Sequence, residues 1–163
     1  MLELLNSNGT AIQTKVTRKS IIGFQNELQN MKGAFLGDNK MCPLKHSFCD
    51  GMFIREIFIP KGTYIVGKIH KHAHPNFLLK GKVKVATEDG VQILTAPLSM
   101  ISKAGTKRAL YIIEDCVWVV VHQNLSNTQD LGELEDMVIA KSYEEYDDYC
   151  KHFGENKTKQ LIN

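Results

Sequence analysis

Gly67-Lys-Ile-His70-Lys-His72-Ala-His74-Pro-Asn76-Phe-Leu-Leu-Lys-Gly81 is the stretch that decides the fold. Three histidines stand at every second position, and alternate residues of an extended chain point to one side. Read as a strand, the stretch aims all three imidazoles into one cavity. Imidazole is the commonest metal ligand and the side chain whose ordinary pKa lies nearest neutrality. Spacing limits the reading. At about 3.3 Å per residue, His70 and His74 stand ~13 Å apart on a straight strand, so one ion reaches both only if the chain bends. A neighbouring pair, about 6–7 Å apart at Cα, can share an ion. The tract of His70, His72 and His74 thus supplies two ligands, and the rest must come from elsewhere. His122, ending the last apolar run, reads as a strand-end surface residue, with a further ligand as the alternative.

Outward from the tract the chain is β-rich. Met52–Ile59 is one run, ended by Pro60-Lys-Gly62, and Thr63–His70 is the next. Asn76–Thr87 follows and closes at Glu88-Asp89-Gly90, a strong hairpin signal. Val91–Ala96, Leu98–Ser102, Arg108–Glu114 and Cys116–His122 complete the set, the last two joined across Glu114-Asp115. Seven or so short runs at this spacing predict an antiparallel sandwich or barrel. Residues 1–18 alternate weakly, as a strand would. Ser20–Met31 has helical spacing, and residues 32–50 read as loop. Near the end, Asp130-Leu-Gly-Glu133 and Ser142-Tyr-Glu-Glu145 fit helix starts of the capping-box kind. Tyr143, Tyr146, Tyr149, Cys150 and Phe153 form an apolar stripe that packs on the barrel or on a partner. Residues 154–163 read as a frayed polar end. The organisation expected is an N-terminal extension over 1–50, a barrel over 51–125 and a helical segment over 126–163.

Composition is that of an ordinary globular chain: 163 residues, 43% hydrophobic and 23% charged. No basic start or long apolar run suggests a leader or a membrane span, so a cytoplasmic protein is expected. The four cysteines are expected as free thiols rather than disulfides. Cys42-Pro-Leu-Lys-His46-Ser-Phe-Cys49 lacks the further ligands of a zinc site and reads as a loop with buried thiols. Charge is uneven. Residues 1–129 carry 16 Lys/Arg against 9 Asp/Glu, or +7, and residues 130–163 carry 4 against 9, or −5. A basic body with an acidic tail fits an anionic ligand, or a tail that docks on the body or a neighbour. No nucleic-acid motif is present, and nucleic acid is not an expected partner.

Gly67 to Gly81, followed by Lys-Val-Lys-Val, resembles the first motif of the cupin superfamily. Ala96-Pro-Leu-Ser-Met-Ile-Ser-Lys-Ala-Gly-Thr-Lys-Arg108 resembles its second. The chain is also similar to small cupin-like proteins of tailed bacteriophages. That likeness rests on Arg55-Glu-Ile-Phe-Ile-Pro-Lys-Gly62, Gly67-Lys-Ile-His-Lys-His72, Thr87-Glu-Asp-Gly90, Ala104-Gly-Thr-Lys-Arg108 and Glu114-Asp-Cys-Val-Trp118, and covers roughly residues 40–125. The resemblance implies a mainly β fold, a cupin-type double-stranded β-helix (jelly-roll barrel), with the N-terminal extension and C-terminal helices added. It also implies a metal site of two histidines and a glutamate from the first motif and a histidine from the second. Aligned on His70 and His72, the glutamate position holds Asn76. Counted back from Gly81, it holds His74, with His70 and Lys68 in the two histidine positions. In the second motif the histidine position is Arg108, which stays protonated and binds no metal.

The functional expectation is a phage-type cupin binding a small anionic ligand, together with a divalent metal (Zn, Ni, Mn or Fe) at His70, His72 and His74. Arg108, Lys107, Lys103 and Asn76 are the candidate ligand-binding residues, with Arg108 as a bidentate clamp. One alternative is a metal-dependent cupin enzyme, an oxygenase or isomerase. Another is a structural or assembly protein of a virion. A homo-oligomer, a dimer, is expected because β-edges must be covered, and the host cytoplasm or the particle is the expected location. Lys80, Lys82 and Lys84 read as the solvated face of a strand. Arg55 and Glu56 lie on opposite faces, so one of them points inward and needs a partner.

Overall fold

The computed structural model describes residues 15–34 and 40–161, with side chains described as far as residue 152. Of the strand pattern read over residues 1–18, residues 1–14 lie outside the described residues, and residues 15–18 are no strand but lead into a helix. The chain enters through helix α1 (Arg18–Gln29), whose first turn is closed by a capping box between Thr17 and Ser20. Strands β1 (Leu44–Cys49) and β2 (Gly51–Ile59) follow as an antiparallel hairpin. β1 lies inside the segment read as loop. Its residues, Leu-Lys-His-Ser-Phe-Cys, alternate only weakly because it is an edge strand, half-buried for most of its length.

The run Thr63–His70 divides into β3 (Tyr64–Val66) and β4 (Ile69–His70), which belong to different sheets. β5 (His74–Thr87) turns through Glu88-Asp89 into β6 (Gly90–Thr95), as the sequence predicts, and β7 (Leu98–Ser102) follows. The two runs expected on either side of Glu114-Asp115 are one long strand, β8 (Ala109–Asn124). Glu114-Asp115 is therefore no turn. It is the place where β5 and β8 slip register between Leu78 and Val83. Gly81 stands there at φ +92, and a Cβ on it would collide with the Asp115 carbonyl and lie 2.8 Å from Cys116 Sγ. The close approach demands glycine.

β5 and β8 thus serve two halves of one antiparallel sheet. The order β1-β2-β8-β5-β6 is joined by β3 on β8 and β7 on β5. The early part of β5 pairs with β7 and the late part with β6. The mainly β jelly-roll architecture expected from the sequence is the one observed. Its core gathers Leu78, Val83, Val85, Ile112, Cys116 and Trp118, with Ile59 and Leu110 beside them.

The acidic tail folds back on the basic body. Helix α2 (Leu131–Val138) is capped by Asp130, which accepts from the Gly132 and Glu133 amides. β9 (Ile139–Ala140) pairs with β4, and helix α3 (Tyr143–Leu161) begins where Ser142 Oγ accepts from the Glu145 amide. Ile69, Ala140 and Tyr143 form a second small core, with Ile22 and Tyr146 packed on it. Ion pairs bind the tail down: Lys68 to Glu135, Arg18 to Asp147 at 3.1 Å, and Lys71 to Glu145 at 3.5 Å. The four cysteines are free thiols, Cys42 and Cys116 buried, Cys49 and Cys150 exposed. Among the described residues no helix is long and apolar enough to cross a membrane.

Candidate functional site

The chain bends sharply between β4 and β5. Backbone pairing holds His70 on both sides: it sits opposite Ile139 of β9, and its carbonyl accepts from the Gly105 amide at 2.8 Å. Lys71, His72 and Ala73 form the bend, and His74 opens β5. The bend brings the His70 and His74 rings to 4.2 Å, where a straight strand keeps them far apart. His122, near the end of β8, stacks on His70 at 4.8 Å and lies tilted against His74 at 4.6 Å. One ligand atom from each of the three lies within 4.8 Å of the others.

Two of the predicted metal ligands, His70 and His74, are therefore brought together, and the third is not. His72 points out of the bend, exposed, with Nε2 3.4 Å from the Tyr149 hydroxyl. A bend reverses the side on which alternate residues fall, so the middle histidine is expelled. The surface reading of His122 is corrected: it is buried, 5% exposed, because β8 runs past β2 and β5 at the barrel end. Its signal in the sequence was alternation with Trp118 and Val120, both inward.

Electrostatics keep the three rings neutral. Burial, then His74, His122, Arg108 and Arg55, push the His70 pKa down to about 2. Burial, then His74, Arg55 and His72, push His122 down to about 3. His74 is also lowered, chiefly by burial. Its Nδ1 lies 3.0 Å from the His72 carbonyl oxygen, the geometry of a donated N–H that leaves Nε2 as the lone-pair nitrogen. That Nε2 and the His70 Nδ1 are buried and have no hydrogen-bond partner. Orphaned imidazole nitrogens converging in one place fit a divalent transition ion.

His70 and His122 line a cavity of about 940 Å³, and His74 packs against both. Arg108 and Lys107 line it too. Arg108 Nη2 donates to Ser102 Oγ at 2.6 Å, and burial pulls the guanidinium pKa down. Lys107 is buried, its pKa lowered by burial, and its Nζ donates to the Gly67 carbonyl at 2.8 Å. Arg55 is the inward member of the Arg55–Glu56 pair and lies near enough to depress His70 and His122.

Lys103 does not line this cavity. It is exposed and paired with Asp89 at 2.9 Å, because the turn at Gly105 points its side chain toward the β5–β6 hairpin. Asn76 lines the cavity, but its amide is engaged within the protein. Oδ1 accepts from Trp118 Nε1 at 3.1 Å and Nδ2 donates to the His74 carbonyl at 3.1 Å. Asn76 thus positions Trp118 and the backbone of His74. Among the described residues lining the cavity, the sole carboxylate is Glu135, at the rim and paired with Lys68.

No protein-family model matches the chain, and no curated protein matches it in sequence. Solved structures do. KdgF from a Halomonas species is 11% identical over 54% of this chain and 84% of its own, with a TM-score of 0.46. An RmlC-like cupin family protein with a double-stranded β-helix fold, from Methanocaldococcus jannaschii, is 17% identical over 55% and 85%, at 0.44. Ectoine synthase from P. lautus is 15% identical over 72% and 88%, at 0.49. These neighbours are cupin-fold proteins.

Proposed function

We propose that this barrel holds a divalent transition metal between His70, His74 and His122 and, beside it, the acid group of a small organic anion. The observation that carries the reading is the set of buried, neutral imidazoles with unpartnered nitrogens beside a cavity whose inner charges are cationic. A metal on three neutral ligands keeps its full positive charge, and three side chains leave coordination positions open. Lewis-acid polarisation of a bound oxygen is the chemistry such an ion supplies. The chain's own contribution is orientation and charge. Asn76 and the His72 carbonyl hold His74, β9 and Gly105 hold His70, and Arg108 offers a planar, charged fork to a carboxylate or phosphate. A binding role is preferred to catalysis, because among the described residues no carboxylate stands in the inner cavity as an acid or base.

Metal per chain, measured after loading with Zn, Ni, Mn or Fe, tests the reading. Wild type and His72→Ala should hold about one ion, whereas His122→Ala should hold tenfold to a hundredfold less at limiting metal. Equal occupancy of wild type and His122→Ala would remove the centre. The reading extends to a phage-encoded protein working as a homodimer in the host cytoplasm. β6 supports the dimer, since it ends the sheet with Val91 and Ile93 exposed. Light scattering at micromolar concentration that shows a monomer at low and high salt rejects the dimer.

A further inference from the structure

We infer that the ligand is an amphipathic monocarboxylate, its acid group at the His70–Arg108 end and its apolar body along Ile57, Leu110 and Trp118. The inference rests on the anion-binding reading and names the chemical class. Three observations carry it. The first is size. About 940 Å³ is near the upper end for small-molecule sites, roughly 300–1,000 Å³, and a two-carbon acid or an inorganic anion fills a small part of it.

The second is the division of the wall. Along β2 the inward residues run Phe53, Arg55, Ile57, Ile59, and along β8 they run His122, Val120, Trp118, Cys116. Charge and imidazole stop after Arg55 and His122, and beyond them Ile57, Ile59, Leu110 and Trp118 make hydrocarbon wall. Among the side chains of these four residues the one polar atom, Trp118 Nε1, already donates to Asn76. A second carboxylate or a row of hydroxyls laid on that wall would lose its water without gaining a partner. An alkyl or aryl body gains by burial in the same place.

The third is charge. Arg108 is enclosed, its Nη2 donates to the neutral Ser102 hydroxyl, and no carboxylate lies within ion-pair distance among the described residues. The Arg108 guanidinium, which has no acidic partner, calls for one acid group.

The experiment uses the full chain, metal-loaded, with Trp118 as reporter, because it is the single tryptophan in the sequence and lines the cavity. Fluorescence titrations with butanoate, hexanoate, octanoate and decanoate should show affinity rising about fourfold per added methylene, the increment of burying one CH2. α,ω-Dicarboxylates and 1-alkanols of matching length should bind at least about tenfold more weakly than the monoacid. Arg108→Gln should weaken every monoacid about tenfold and leave the chain-length slope unchanged. A flat slope, dicarboxylates as tight as monoacids, or no quenching by any acid overturns the inference. Metal content of the same samples separates the two readings. Retained metal with a flat slope removes the ligand class alone, and lost metal with a retained slope removes the metal centre alone.

Discussion

The two halves of β5 face the interior with opposite parity. Before Gly81 the buried residues are even-numbered: His74, Asn76 and Leu78. After it they are odd-numbered: Val83, Val85 and Thr87. The first half carries the polar pair His74 and Asn76 toward the candidate site before Leu78 joins the core. The second half gives Val83 and Val85 to the core. One glycine at φ +92, opposite the slip at Glu114-Asp115, separates them. Alternation is a local rule, and an irregularity resets it. The bend at Lys71–Ala73 works the same way, placing His70 with His74 and expelling His72.

The largest way to break this comparison is to block the reset. Gly81→Ala puts a methyl group against the Asp115 carbonyl at a backbone angle side chains rarely adopt. The expected loss is about 4 kcal/mol or more, enough to unfold a marginal domain. Urea unfolding checks it, and a loss under about 1 kcal/mol would mean the two halves do not depend on the close approach.

The polar half should also make the metal-free protein sensitive to acid. Unfolded, His70 and His122 titrate near 6.5, whereas folded they are held to about 2 and about 3. Between those limits the unfolded chain takes up protons that the folded chain refuses. Their contribution is fully present above pH 6.5 and is lost as pH falls toward 3. Well below 6.5 the two together should cost about 2.7 kcal/mol per pH unit. Urea midpoints of metal-stripped protein at pH 7, 6, 5 and 4 read this slope. Unchanged midpoints from pH 6 to 4 would show that the rings are not neutral and buried.

A paired substitution sharpens the contrast. In wild type, metal at a hundred times its Kd should stabilise the fold by about 2.7 kcal/mol. Val83→Ala, in the aliphatic half, should cost about 2 kcal/mol with or without metal and keep that gain. His74→Ala should abolish the gain. Thermal melts with and without metal measure both, and equal gains in the two variants would erase the division of β5. The smallest effect belongs to the outer face: Lys80→Ala, exposed beside Gly81, should change stability by less than about 0.5 kcal/mol.

Much of the fold was legible. The hairpin at Glu88-Asp89-Gly90 is written in residues that favour a tight turn. The helix starts at Asp130 and Ser142 are written in side chains that cap an amide. β1 was not legible, because an edge strand is half-buried and alternates weakly. The continuity of β8 was hidden because two acidic residues look alike whether they make a turn or a slip in the ladder. The site was half legible. Arg108, Lys107 and Asn76 stand at the cavity wall, Asn76 with its amide engaged by Trp118 and the His74 carbonyl, whereas Lys103 turns to the hairpin.

The sequence by itself determined that the chain is a mainly β barrel with its candidate site beside the histidine tract. Periodicity and turn chemistry act between neighbours, and neighbours are what a sequence shows. Which histidines meet was decided by tertiary structure alone. β9 must clamp His70, a bend must turn His72 outward, and closure of the sheet must bring the end of β8 beside the start of β5. These contacts join residues far apart in the chain, and their cost and gain are settled by packing that no local pattern records.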